Sequence, residues 1–401
     1  MRIAIASRIF EPEPSAASFR LAALARALVE NGHEVEILTV RPPARLRKAS
    51  DSGRGYRVKR FPVLRDSSGY VRGYLPYLSF DVPLFFRLLL GRRRDLIVSE
   101  PPPTTGFFVR LAAAFLRTPY AYYAADIWSD AASQTDAPAW MVRTVRALES
   151  FALRGARSVL SVSDGVTRRL SEFSVADVST IGNGVDAARF SEALTLAQAE
   201  TEDLRERNDE FVYAGTASEW HGANVFVEAL PAVLRALPRA RLRFIGGGSE
   251  REALERRARE LGVEGAVAFE PVLSAELIAP VLAGATAAIA SVQPGAGYDF
   301  AFPTKLYSAA VCGAPLIYAG IGPAENFVRT PVDGLPLGTA VAHDPTEVAA
   351  AMVSAARLLA DVEPEAQWRR RRRVSRWATE NVGLQAVAAR AVAVLTKAVR
   401  P

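Results

Sequence analysis

The residue types best suited to chemistry lie in FPTKLYSAAVCGAP, residues 302–315. Pro303 fits the first turn of a helix, and Gly313 with Pro315 two residues later marks its end, so the spacing predicts a helix over 303–312. Lys305 falls in the first turn, where the partial positive charge of a helix N-terminus disfavours a lysine unless an anion shares the spot. Ser308 lies three residues on, on the same face. A diphosphate at Lys305 would put a ribose near Ser308. The competing reading is a surface lysine that trails its stem over apolar neighbours. A second anion signal is RLRFIGGGSEREAL, a strand, then Gly246, Gly247 and Gly248, then a helix that Ser249 could cap. Such glycines admit a phosphate to backbone amides, or simply turn the chain tightly. Asn183-Gly184, just after a strand, reads equally as a structural turn or a ligand contact.

Other chemistries lack their residues. His33, His221 and His343 are dispersed, and HExxH, CxxC, Asp-x-Asp, GxGxxG after the first strand, GxxxxGK[ST] and GxSxG are all missing. Neither a metal site nor a bound cofactor is expected. The single cysteine, Cys312, reads as a small buried hydrophobe and suits a reducing compartment. A net charge of +6 reflects either composition bias or attraction to anions, and no nucleic-acid recognition motif accompanies it. The run WRRRRRVSRW, residues 368–377, reads as a solvated helix or an interfacial anchor. The start MRIAIASRIF has no secretory pattern. Residues 74–90 are apolar but carry Asp81, Arg87 and two prolines, so they predict a helix under the first domain that could touch a membrane surface rather than cross it.

The elements that must position these residues alternate strand and helix twice over. The first series has strands near 2–6, 35–40, 95–99, 120–124, 158–162 and 178–181, and FRLAALARALVENG sets Leu21, Leu24, Ala25 and Leu28 on one helical face. The rhythm breaks over 187–209, which reads as the domain boundary, and restarts with EFVYAG. Residues 345–399 read as helical throughout. Strands separated by helices imply parallel sheets covered on both faces, so the fold class is α/β: two doubly wound Rossmann-like domains with a cleft between them.

In order and spacing the chain resembles the large retaining glycosyltransferase family 4, of GT-B fold. NGHEVEILT, SVSDGVTRRL with IGNGVDAARF, FVYAG, FIGGGSEREAL and PTKLYSAAVCGAPLI carry the resemblance over nearly the whole length. EPEPSAASFR, SEPPP and ADIWSD are similar to the branch used in surface polysaccharide and glycoconjugate assembly. The resemblance implies an N-terminal acceptor domain over 1–190, a nucleotide-sugar donor domain over 208–375, and a C-terminal helix of about 380–401 packing back on the first; residues 368–377 would return the chain toward it. Domain closure would complete the site and exclude water.

The implied activity is metal-independent transfer, with retention, of a sugar from a nucleotide diphosphate sugar, foremost a UDP-sugar, to a glycan, lipid-linked or small-molecule acceptor. The implied donor side is Lys305, Ser308, His221, Thr216, Gly247, Gly248, Thr304 and Glu325, with Lys305 stabilising the leaving diphosphate. The family's arginine and lysine after the second domain's first strand are here Thr216 and His221, and His221 could be a partly charged substitute. The family's ribose-binding glutamate is here Ser308, and its upstream partner is Phe300 beside Asp299. On the acceptor side the resemblance points to Arg20, which would open the first helix and reach a phosphate, to Asp126, and to Trp128. Asp126 would orient the acceptor or take its proton, or else cap a helix. The expected setting is cytoplasmic, at the inner face of a membrane or away from it. Two other functions remain open, a nucleotide-sugar epimerase and a non-catalytic partner of an active transferase.

Overall fold

The computed structural model describes residues 1–399 apart from 14, 47–52, 67–68, 70, 72, 134–137, 191, 201–208 and 296. The chain divides into two compact units, Met1–Asn183 with Leu384–Pro401, and Gly184–Gly383.

The first unit runs β1 (Arg2–Ala6), α1 (Ala16–Glu30), β2 (Glu34–Val40), β3 (Arg57–Phe61), α2 (Tyr74–Leu90), β4 (Leu96–Ser99) and α3 (Pro103–Leu116). It continues with β5 (Tyr120–Ala124), α4 (Trp128–Ser133), α5 (Ala139–Gly155), β6 (Ser158–Ser161), α6 (Asp164–Leu170) and β7 (Val178–Thr180). The strands form one parallel sheet in the order β3-β2-β1-β4-β5-β6-β7. The order reverses between β1 and β4, which opens a crevice beyond their carboxyl ends. One face packs on α1, whose Leu21, Leu24, Ala25 and Leu28 are buried as their spacing predicts. The other packs on Phe80, Leu84 and Leu88 of α2 and Val109, Ala112 and Ala113 of α3.

The second unit runs α7 (Ala193–Glu200), β8 (Glu210–Ala214), α8 (Asn224–Ala236), β9 (Arg241–Ile245), α9 (Arg251–Glu260), β10 (Val267–Glu270) and α10 (Ala275–Gly284). Then come β11 (Ala287–Ser291), α11 (Lys305–Val311), β12 (Leu316–Ala319), α12 (Pro323–Val328), β13 (Pro331–Val332), β14 (Leu335–Pro336), β15 (Gly338–Val341), α13 (Pro345–Ala360) and α14 (Pro364–Val382). Its parallel sheet has the order β10-β9-β8-β11-β12-β15, with the switch point between β8 and β11. The last helix, α15 (Leu384–Val399), belongs to the first unit, where Val387, Ala391 and Leu395 join the core and Leu384 and Ala388 meet Ala23 of α1.

The boundaries differ from those read in the sequence. The units change over at Asn183/Gly184 and Gly383/Leu384, rather than at 190–208 and 375. Much of the polar stretch taken for a linker is α7, whose Ala193 and Ala197 are buried beside α10; its residues 201–208 lie outside the described set. Residues 368–377 lie within α14 of the second unit, and the chain passes from the end of that helix into the first unit at Gly383/Leu384, as expected. Trp368 sits in the core of the second, and the Arg371 guanidinium, also buried, donates to the carbonyls of Ala283 and Ala285 at 2.7 and 2.8 Å. Arg370 binds the carbonyls of Leu335 and Pro336 at 2.9 and 3.0 Å. These two arginines therefore satisfy carbonyls of β14 and of the C-terminal end of α10 instead of facing a membrane.

Gly313 ends the region of α11 at φ +74°, and a Cβ there would lie 2.5 Å from the Arg371 carbonyl oxygen. Gly313→Ala is expected to destabilise the chain by about 1–2 kcal/mol through the left-handed backbone, and further through that overlap, read as a lower urea midpoint. An unchanged midpoint would contradict this packing of α14 on α11.

Candidate active site

The second unit gathers three loops at its switch point. After β8 the chain runs through Gly215, Thr216 and Ala217, and after β9 through Gly246, Gly247 and Gly248. These loops touch backbone to backbone: Gly215 donates to the Ile245 carbonyl at 2.8 Å and Ala217 to that of Gly247 at 2.9 Å. A Cβ on Gly246 would lie 2.4 Å from the Gly215 oxygen, and one on Gly248 would lie 2.0 Å from the Ala217 oxygen. Gly247 has open space around it. Two of the three glycines thus permit close loop packing, and the middle one presents bare backbone. Ser249 is not the cap of α9, which starts at Arg251 with Glu250 at its N-cap and no side-chain bond there.

Lys305 is the first residue of α11, after Pro303 rather than within a helix that Pro303 begins. With only seven residues, α11 brings little dipole, so the charge at this point is mainly the lysine's own. Its ammonium donates to the Thr216 carbonyl at 3.1 Å and sits 3.6 Å from the centre of the Tyr213 ring. The residue is half-buried, and the protein around its ammonium partly desolvates it. That desolvation pushes its pKa well below the ordinary lysine value.

The remaining donor candidates divide by place. Ser308 shares a cavity of about 190 Å³ with Gly215, Thr216, Gly246 and Gly247, walled by Phe190, Ile245, Val272, Leu273, Ile278 and Leu282. Thr216 contributes its carbonyl to Lys305, and its side chain is exposed. His221 is buried, stacks on Trp220 at 3.6 Å, and accepts from the Ser218 amide through Nδ1 at 3.2 Å. Burial first, and then the Lys305 charge, lower its pKa to about 3, so the expected partly charged substitute is a neutral imidazole. Thr304 is exposed at the N-cap of α11 without a side-chain cap bond. Glu325 lies in the first turn of α12, is paired with Arg329, and does not line the cavity. Asp299 accepts from the Gly295 amide at 3.0 Å.

The acceptor candidates belong to the first unit. Arg20 lies one turn inside α1, which Ser15 caps, and does not open the helix. It is 5% exposed and already engaged: Nη2 meets Glu100 at 2.8 Å, and Nη1 donates to Asn183 at 2.8 Å. Reaching a phosphate would break that buried pair, so its role is to hold the crevice together. Glu100 also accepts from the Ser7 hydroxyl at 2.6 Å, tying the ends of β1 and β4 across the switch point. Asp126, just past β5, is exposed and makes no hydrogen bond or ion pair among the described residues. Desolvation raises its pKa, and the Arg20 charge opposes the rise. It does not cap α4. Glu149 does, accepting from the amides of Trp128 and Ser129 at 2.7 and 3.0 Å. Trp128 packs edge-on against Tyr77 at 6.1 Å, and the Arg8 guanidinium lies 3.8 Å from the Tyr77 ring centre.

Sequence reasoning missed Glu100, Glu149 and Arg8. Glu100 had a signal, a lone carboxylate at the end of the fourth strand in SEPPP. Among the described residues no three His, Cys, Asp or Glu side chains gather as a metal site.

The enclosed ammonium predicts proton uptake. A bound diphosphate raises the Lys305 pKa from its lowered value, so binding draws a proton in the pH window between the free and the bound values and weakens as pH rises through that window. Calorimetric titration with UDP in buffers of different ionisation heat should show that uptake, and Lys305→Met should remove it. A binding heat independent of buffer would contradict the enclosure.

Known proteins place the chain. A model described as "Glycosyl transferase 4-like domain" matches residues 16–184, and one described as "Glycosyl transferases group 1" matches 208–358. A GDP-mannose-dependent alpha-(1-6)-phosphatidylinositol monomannoside mannosyltransferase of Mycolicibacterium smegmatis is 34% identical over 142 residues, 35% of this chain. That match spans only 36% of the relative's length. Anabaena HepE in complex with UDP has a TM-score of 0.70 at 16% identity, covering 99% of this chain and 100% of that one. A glycosyltransferase from Rickettsia africae has a TM-score of 0.70 at 14% identity, covering 100% and 98%. With both sheets parallel and each unit matched by its own half of the family, the chain belongs to the family 4 glycosyltransferases of GT-B fold.

Proposed function

We propose that this protein is a metal-independent, retaining glycosyltransferase that moves a sugar from a nucleotide diphosphate sugar to a glycan, lipid-linked or small-molecule acceptor. The observation that carries the reading is the Lys305 ammonium, held on the Thr216 carbonyl beside Gly215, where Thr216, Gly215 and the bare Gly247 line the Ser308 cavity at the sheet's switch point. In the reaction the bond from the anomeric carbon to the β-phosphate oxygen breaks, and the acceptor oxygen bonds to that carbon on the same face. The acceptor's proton passes to the departing phosphate oxygen. Lys305, with the backbone amides of the glycine loop, carries the charge that builds on the diphosphate. The first unit takes the acceptor, with Asp126 and Trp128 orienting it. His221 contributes as a neutral imidazole, and Gly247, Gly248, Thr216 and Thr304 surround the phosphates; Glu325 is the outlying candidate, tied to Arg329.

UDP is the first choice of nucleotide, supported by the UDP complex of HepE; the mycobacterial relative's GDP-mannose is the alternative. That relative's acceptor is a phosphatidylinositol monomannoside, which supports a lipid-linked acceptor and peripheral association with the cytoplasmic face of a membrane. No described helix is long and apolar enough to cross one. One observation favours a second reading of the nucleotide: among the described residues the cavity walls carry no carboxylate, and Ser308 offers only a hydroxyl. A carboxylate would grip a ribose diol through charge-assisted bonds, whereas an apolar wall suits a sugar with one hydroxyl fewer.

Incubation with a nucleotide-sugar panel and an acceptor extract should consume one donor class and form a glycosylated product. A chelator should leave the rate unchanged, and Lys305→Ala should lower kcat/KM by roughly 100-fold or more. Donor isomerised without a glycosylated product would identify an epimerase, and an inert panel a non-catalytic partner. For the cavity, UDP and dUDP should bind about equally, and Ser308→Glu should favour UDP by roughly tenfold. A wild-type preference for UDP of that size would refute the apolar-wall argument.

A further inference from the structure

Helix α2 is apolar on two faces. Phe80, Leu84 and Leu88 point into the core. Tyr74, Leu78, Val82, Phe86 and Leu90 recur every four residues on the outside, with exposures from 38% to 86%, and Leu75 beside them is 72% exposed. The stripe therefore runs the full 17 residues of the helix. It widens onto α3, where Phe115 is 76% exposed and Phe85 touches both Phe108 and Phe115. Isolated exposed apolar residues need no explanation, but a continuous two-helix patch does.

The charge at the end of this patch is mainly basic. Arg92 and Arg93 follow Leu90 after Gly91, and Arg117 follows Phe115 by two residues; all three are exposed. Arg93 and Arg117 have no ion pair among the described residues, and Arg92 only a loose one to Glu34 at 3.9 Å. The single acid within α2, Asp81, is buried and accepts from the hydroxyls of Thr104 and Thr105, both at 2.6 Å. An apolar stripe with no exposed acid of its own among the described residues of α2, ending in three exposed arginines of which only Arg92 is paired, matches an anionic bilayer, whose headgroups meet the guanidinium groups while the rings enter the acyl boundary.

We propose that the outer face of α2, with Phe115 of α3 and the Arg92, Arg93 and Arg117 rim, is the surface by which this protein docks on anionic lipid. This names the surface behind the peripheral association proposed above, and it is independent of the donor chemistry. The full chain is sedimented with vesicles of phosphatidylcholine alone and with added phosphatidylglycerol. It should bind the anionic vesicles at least tenfold more tightly. Leu75→Glu/Leu90→Glu/Phe115→Glu should abolish binding, and Arg93→Glu/Arg117→Glu should weaken it by roughly tenfold. Both variants should keep the wild-type melting temperature and UDP affinity, which separates loss of docking from loss of the donor site. Failure of the wild type to sediment, or unchanged sedimentation of the triple variant, would overturn the proposal. So would a wild-type dimer in solution that ignores vesicles and dissociates on the same triple substitution, because the stripe would then be an interface between copies.

Discussion

An ammonium removed from water must find oxygen, a π face or an anion, or give up its proton. Lys305 has the first two, the Thr216 carbonyl and the Tyr213 ring, and both belong to the end of β8 or the loop just after it. The arrangement needs the loop to hold its carbonyl toward the lysine, and that loop is fixed by backbone bonds to the glycine loop after β9. Gly246 and Gly248 are what let the two loops approach so closely. A charge is thus kept available without a carboxylate to neutralise it, and in the proposed reaction the incoming diphosphate is the partner it lacks. The same positive charge helps hold His221 neutral, so this corner of the sheet keeps one cation.

The first unit solves a related problem differently. Its switch point is closed by the Arg20–Glu100 pair, both groups almost fully buried, with Ser7 and Asn183 taking further bonding positions. Such a pair is costly to break and contributes more to fixing geometry than to net stability. Asp126 stands outside this network with its carboxylate unclaimed, which is why an acceptor role rests better on Asp126 than on Arg20. The contrast follows from burial: the paired groups are fixed in place, and the exposed one is free to meet a ligand.

Much of this was legible in the sequence. Parallel doubly wound sheets followed from the alternation of apolar strands and helices, and residues such as Leu21, Leu24 and Leu28 fell where a 3.6-residue period puts them. Lys305 and Ser308 were singled out from their spacing, and the glycine run from its place between strand and helix. What failed was anything set by tertiary contact. Trp368 and Arg371 looked like surface groups because five successive arginines cover every face of a helix, yet the carbonyls at the end of α10 that Arg371 satisfies lie 86 and 88 residues away in sequence. Glu149 caps a helix 20 residues upstream, which local capping rules do not reach. His221 looked chargeable until burial beside Trp220 and Lys305 was known. Ala193 and Ala197 are too small to reveal a helix inside a polar stretch.

The central claim is that the Lys305 ammonium is where the donor's β-phosphate sits. Its most direct test is the affinity ratio of UDP to UMP, measured by calorimetry in the wild type and in Lys305→Met, since the two ligands differ only in that phosphate. The account predicts a strong preference for UDP that collapses toward unity in the variant. A preference of equal size in both proteins would place the β-phosphate elsewhere and contradict it.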